Sequence, residues 1–381
     1  MSEAKPFFLE GFVAFMRERL HLMKVLILAV LTVGCVAAYM AGWFSSADNT
    51  FYDFCLRHRP AQYTSPKIVI VEINEEAIQS VGRWPWDREW HATLIQALKD
   101  SGARAIALDM LFSEKNNPAT DDLLARVIEK SKITFLPVGY EVVTEGKGSG
   151  LIRSIPAISS GAAGEGHTFA QPDPDSILRR TQLYLDGEAA RAWNLGLLLA
   201  LESWGLKPSD IRVSANRLEI PIPGNAPLVV PMDAAAGARI NWPARWKDSF
   251  RHVSYVDVIQ SYSAQLKGEK TSLDPTIFKD AICIVGVTAA GLFDIYATPL
   301  ESSYPTVGIT ASILNSLLER SLFNPISSRS QIAIILLLSI MILIIMMRTK
   351  YLQSLFLIGV LGVGFLVCAF ILFTRMNVVM S

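Results

Sequence analysis

The side chains able to do chemistry cluster in four short segments. In Gly82-Arg-Trp-Pro-Trp-Asp-Arg88 two indoles flank a proline, and two arginines bracket them. One reading is a rigid lid, with Trp84 and Trp86 covering a sheet end and Arg83 and Arg88 holding carboxylates. The other is a ligand clamp, with indole faces for stacking and a guanidinium for an anion. Asn74 and Asp109 each end a run of apolar residues. In a parallel sheet such ends border the crevice where ligands bind; the same residues could equally cap a loop or pair with Arg83 or Arg88. Asp173-Pro-Asp175 precedes Arg179-Arg180, so either two carboxylates approach one cation or the segment is a plain Asp/Pro turn. In Gly286-Val-Thr-Ala-Ala-Gly-Leu-Phe-Asp294 the small residues permit close backbone approach. No lysine or arginine is present there to cradle a phosphate, so tight packing is expected, with Asp294 accepting hydrogen bonds.

Catalysis is not signalled. The sequence has no His-Glu-x-x-His, no Walker loop and no Gly-x-Ser-x-Gly, and Gly146, Gly148 and Gly150 follow no strand-to-helix pattern. The five histidines, His21, His58, His91, His167 and His252, lie at no metal-ligand spacing to an acid or cysteine. No catalytic residue, metal or cofactor is therefore expected. Net charge is zero, which argues against a nucleic-acid partner.

The elements that must position these segments alternate. Residues 67–74 form a continuous β-branched run, as in a central strand buried on both faces. A helical stripe follows at Trp90, Leu94, Ile95 and Leu98, and Gly102 stops it. Strands are predicted at 103–112 and 133–140, with a helix at 121–130 between them. Residues 145–166, rich in Gly and Ser, read as surface loop. A strand at 180–185, a helix at 189–204 and a hairpin turning at Ala215-Asn216 come next. Alternation returns with a strand at 237–242, a helix at 253–262, a strand at 281–287 and a last helix at 307–320. The fold class is α/β: a mostly parallel-sheet domain with an antiparallel insertion, plus transmembrane helices.

Three long uncharged stretches, residues 25–47, 330–347 and 351–374, match the roughly 20 apolar residues that cross a bilayer. Lys5, Arg17, Arg19 and Lys24 precede the first, and Arg348 and Lys350 separate the other two. The positive-inside rule then puts residues 1–24 and 348–350 in the cytoplasm. Residues 48–329 and 375–381 fall outside it, and the lipid bilayer is an obligatory partner. Cys55 and Cys283 are the cysteines outside the spans; Cys283, in mid-strand, reads as a buried thiol, and no spacing demands that they pair.

The sequence resembles the second class of CHASE domain, extracellular sensory modules of bacterial cyclases and kinases. The resemblance covers about residues 49–318. It rests on Tyr52-Asp53 with Arg57, residues 68–75, the 82–88 segment with His91-Ala92, and Gly102-Ala-Arg-Ala-Ile-Ala-Leu-Asp-Met-Leu-Phe112. It continues through Asp173-Pro-Asp175 with Arg179-Arg180, Ile240-Asn241-Trp242, residues 285–294, Thr298-Pro299, and Gly308 with Ala311. Two departures stand out: the family usually has aspartate where Asn74 stands, and histidine where Thr310 stands. If the family aspartate meets a cation, Asn74 weakens that contact.

The resemblance implies a bacterial inner-membrane receptor module. It would detect an unknown extracytoplasmic ligand or stimulus and act as a homodimer. Its signal would go to a cytoplasmic adenylate or guanylate cyclase, histidine kinase or Ser/Thr kinase. The family has one span before the domain and three after it. Only two later spans are read here, so the chain is expected to stop before a further span and an output domain, a cyclase foremost. The competing readings are a scaffold that binds an envelope component without signalling and a tethered hydrolase. Candidate ligand-binding residues are Asn74, Arg83, Trp84, Trp86, Arg88, Asp109 and Asp294.

Overall fold

The structure, a computed structural model, describes residues 6–141, 150–187, 191–292 and 295–380, with backbone alone for 6–14, 17–18 and 141. Two compact units result: Met1–Arg59 with Asn324–Ser381, and Pro60–Phe323. The first begins with α1 (Pro6–Met40), whose Arg19–Met40 portion is long and apolar enough to span a membrane. Absence of charge placed this span at 25–47, but the helix ends at Met40. Gly42 there adopts φ +74°, and Ser45 opens a second helix, α2 (Ser45–His58). A lack of charge does not distinguish a helix from the turn after it; the left-handed glycine does.

In the Pro60–Phe323 unit, β1 (Ile68–Ile73) is buried on both faces as its β-branched run requires. Asn74 caps α3 (Glu75–Val81), and Asp87 caps α4 (Arg88–Asp100). Gly102, at φ +84°, turns the chain towards β2 (Ala105–Leu108). After α5 (Pro118–Ser131) come β3 (Thr134–Glu141), β4 (Gly150–Ile152), the short α6 (Pro156–Ser159) and β5 (Gly164–His167). The insertion holds β6 (Arg180–Gln182), β7 (Tyr184–Asp186), β8 (Arg191–Trp193) and α7 (Leu195–Trp204). It goes on through β9 (Arg212–Ser214), β10 (Arg217–Ile220), β11 (Leu228–Pro231) and β12 (Gly237–Arg239). The domain returns to its sheet with β13 (Arg251–Ser254), α8 (Tyr255–Leu266), β14 (Ile282–Val287) and α9 (Thr306–Leu318).

The main sheet runs β13-β1-β14-β2-β3, parallel throughout. At its far edge the first half of β3 pairs with β5 in parallel, and the end of β3 pairs with β4 antiparallel. Helices α4, α5 and α8 cover one face and α7 and α9 the other. Strands β9, β10 and β11 form a separate antiparallel sheet, and the predicted hairpin turns at Ala215-Asn216.

Three expectations are corrected. Part of the stretch read as surface loop is the half-buried strand β5. Its glycines, poor strand formers, are needed because a Cβ on Gly166 would sit 2.7 Å from the Leu195 backbone. The helix predicted from 189 starts at Leu195: residues 191–193 pair as β8, and Asn194 caps the helix by accepting from Gly196 N at 3.0 Å. The strand predicted at 237–242 is short and pairs with β6, outside the main sheet. One edge of the main sheet is β13, whose last two residues, Val253 and Ser254, had been assigned to the following helix.

Asp173-Pro-Asp175 realises both of its readings. It is a turn, with Ser176 at φ +64°, and it also gathers its carboxylates on Arg179, which is 1% exposed. Arg179 donates to Asp173 at 2.8 Å and to both oxygens of Asp175 at 2.9 and 2.7 Å. Cys55 and Cys283 are both buried and free.

After the domain the chain forms α10 (Ser328–Arg348) and α11 (Tyr351–Met376), each of membrane-span length. Within this unit Lys24 Nζ donates to the Met346 carbonyl at 2.9 Å, so the start of the first span lies beside the end of the second. Residues 324–325 pair with 378–379, which brings the start of α10 to the end of α11. The three helices are thus antiparallel in succession.

Candidate functional site

A cavity of about 380 Å³ opens at the carboxyl edge of the parallel strands. Asp109 enters it directly after β2, Val287 ends β14, Pro137 and Gly139 come from β3, and Thr168 follows β5. This is the edge where successive strands diverge towards their helices and leave room for a ligand. The 82–88 loop forms one wall, the start of α9 another.

That loop is built as an aromatic wedge. Trp86 is 4% exposed and donates Nε1–H to the Gly82 carbonyl at 2.9 Å, closing the loop on itself. Its ring meets Trp84, Trp90 and Tyr255 at 5.4, 6.2 and 5.1 Å between centroids. Trp84 is only half-buried; it packs edge-on against His91 at 5.8 Å and faces the cavity. His91 is buried, and its Nδ1 lies 3.2 Å from the Tyr255 hydroxyl. Burial, helped by the nearby Arg88 charge, pushes its imidazole down to about 3, so it is neutral at physiological pH.

Arg88 is held on three sides. Its Nε lies 3.3 Å from Asp121 Oδ1, its Nη2 donates to the Glu114 carbonyl at 3.1 Å, and its guanidinium stacks 4.6 Å above the Phe112 ring. Asp121 in turn accepts from the Asn116 amide at 2.9 Å. The lid reading foresaw an arginine holding a carboxylate, but Asp121 was not among the candidate partners. It belongs to α5, and only the packing of α5 on α4 brings it to Arg88.

Of the candidate residues, Trp84, Arg88 and Asp109 line the cavity together. Trp86 lies behind that wall, in the core. Arg83 is exposed on the loop. Asn74 does not reach the cavity; its side chain accepts from Ala77 N at 2.9 Å and starts α3. Aspartate would cap as well as asparagine, so the departure at position 74 preserves this contact. Asp294 lies outside the described residues. His91, Leu111 and Phe112 also line the cavity; the sequence reading carried them in the family resemblance but not among the candidates, and Thr168 and Thr306, which line it too, carry no motif. Among the described residues no cluster of three or more His, Cys, Asp or Glu is arranged to hold a metal.

Residues 25–344 match the family model of the CHASE2 domain. The chain belongs to the CHASE2 domain family. No curated protein and no solved structure matches it. CHASE2 domains are extracellular, sensory and non-catalytic, and the match takes in most of the chain. In this CHASE2 domain the 82–88 loop and the parallel sheet of the family resemblance border this cavity, and the Asp173–Asp175–Arg179 cluster immediately precedes β6.

Proposed function

We propose that this CHASE2 chain is a transmembrane receptor module. Its domain, residues 48–329, detects an extracytoplasmic stimulus in the cavity lined by Trp84, Arg88 and Asp109. Its spans carry the response to a cytoplasmic output domain of the nucleotide cyclase class. The module works as a homodimer in a bacterial inner membrane, because paired output domains respond to relative movement. The observation that carries this reading is the cavity itself: mixed in polarity, walled by a closed aromatic loop and set at the strand ends, in a family of sensors. The helix arrangement supports the orientation. Lys24, Arg348 and Lys350 belong to one end of the antiparallel set, where the positive-inside rule wants the cytoplasm.

The test uses the full chain in membrane vesicles with Lys24→Cys and Met346→Cys, which report packing between α1 and α10, in a Cys35→Ser, Cys368→Ser background. Adding envelope extract to the extracytoplasmic side should change the cross-linking yield. The cavity-filling Leu111→Trp should abolish that change. A yield indifferent to the extract in the chain with an open cavity would favour the scaffold reading.

A further inference from the structure

We infer that Asn315 couples the cavity to the chain ends of the domain: an occupant that shifts the first turn of α9 moves Asn315, and Asn315 moves the segment leading into β1. This deepens the receptor reading and rests on its identification of the cavity as the stimulus site.

Helix α9 joins the two places. Its first turn, at Thr306 and Val307, forms one wall of the cavity. Asn315 lies further along the same helix, about 14 Å from Thr306 at 1.5 Å rise per residue. Its side chain is buried; Oδ1 accepts from the Ser65 amide at 2.8 Å and Nδ2 donates to the Tyr63 carbonyl at 3.1 Å. One side-chain amide thus grips the segment between Pro60, where the domain begins, and Ile68, where β1 begins. The outgoing chain is tied to the same end of α9. Ser321 donates its amide to the Ser316 carbonyl at 3.0 Å, and the Ser321 carbonyl accepts from Asn241, just before the domain ends at Phe323.

The packing around α9 lets a push travel along it. Every residue from Val307 to Leu317 is buried. The fit is close at two glycines on neighbouring elements. A Cβ on Gly286 of β14 would lie 2.8 Å from Val307 Cβ, and one on Gly196 of α7 would lie 2.8 Å from the Thr310 carbonyl oxygen. A close-packed interior compresses little, so pressure on Val307 shifts the helix instead of being absorbed beside it. Helix shifts of an ångström or so are a common means of carrying such a change. An Asn315 that only closed the fold would hold Tyr63 and Ser65 whatever happened at Val307.

The experiment pushes α9 from the cavity wall without any extract. Gly286→Ala adds a methyl group against Val307, in the Lys24→Cys, Met346→Cys chain with Cys35→Ser and Cys368→Ser in membrane vesicles. The α1–α10 cross-linking yield should change about twofold or more. Asn315→Leu removes both contacts to the segment, and in that background Gly286→Ala should leave the yield where Asn315→Leu alone puts it. Circular dichroism checks folding. Should Gly286→Ala misfold, Gly196→Ala crowds α9 from α7 and takes its place. Hydrogen exchange of the full chain in detergent gives a readout that keeps Asn315. The same glycine substitution should speed exchange in residues 61–67 and leave residues 105–108 of β2 unchanged. An unchanged yield, a change that survives Asn315→Leu, exchange at 61–67 that does not rise, or a rise shared by β2 would each overturn the coupling. Envelope extract separates this failure from that of the receptor reading. If extract alters the yield in Asn315→Leu as much as in the chain with Asn315, the receptor stands and the coupling falls. If Gly286→Ala acts through Asn315 but extract never changes the yield, the coupling stands and the receptor reading falls.

Discussion

Asp121→Asn isolates the ion pair that anchors the cavity wall. The substitution keeps the side-chain shape and an oxygen able to accept from the Asn116 amide, and removes only the charge opposite Arg88. The side chains of Arg88 and Asp121 are 11% and 7% exposed, so water cannot replace the lost partner. Breaking a buried pair on one side costs about 3–5 kcal/mol, because the remaining charge stays desolvated. Arg88 retains the Glu114 carbonyl and the Phe112 ring, which puts the expected loss near the lower end, about 3 kcal/mol. For a domain of this size each kcal/mol shifts the midpoint by about 2–4 °C, so the melt should fall by roughly 6–12 °C. Tryptophan-fluorescence melts of the full chain in detergent would measure it. A double variant with Arg88→Met should lose less than the sum of the two single changes, since both remove one interaction. A drop below about 2 °C, or strictly additive losses, would refute the claim that this pair holds the wall.

Trp86→Ala should destabilise by about 3–5 kcal/mol as a large-to-small change in the core, and half-buried Trp84→Ala by less; equal losses would contradict the wedge geometry. Acid should destabilise the fold through its buried histidines. His167 is pushed by burial from 6.5 to about 4, and His91 to about 3. Both folded values lie below the unfolded one, so their contribution is full above pH 6.5 and is lost as pH falls towards those values, at about 1.4 kcal/mol per unit for each group. A His167→Phe chain should show a shallower loss between pH 6.5 and 4, and an unchanged slope would remove His167 from the explanation. For orientation, a reporter active only outside the cytoplasm should work when fused near Gly148 and fail at Lys350; the reverse pattern would overturn the topology.

Local pattern was enough to reveal the β-branched strands β1 and β14, the amphipathic α4 and the long apolar helices, because each carries its own period or length. Asp109 was legible as a candidate edge residue, although the predicted strand, 103–112, ran past it, whereas β2 ends at Leu108. The order of strands was not legible, since β14 enters between β1 and β2 from far along the chain. Nor was β5, whose glycines read as loop until α7 is seen pressing on Gly166. Asn74 and Asp109 looked equivalent in sequence, yet one turns into a helix cap and the other into cavity wall. Arg88 finds Asp121 only when α4 and α5 pack together. Burial and periodicity are local properties of a chain, whereas which charge meets which, and what space is left between them, depends on contacts that no local pattern encodes.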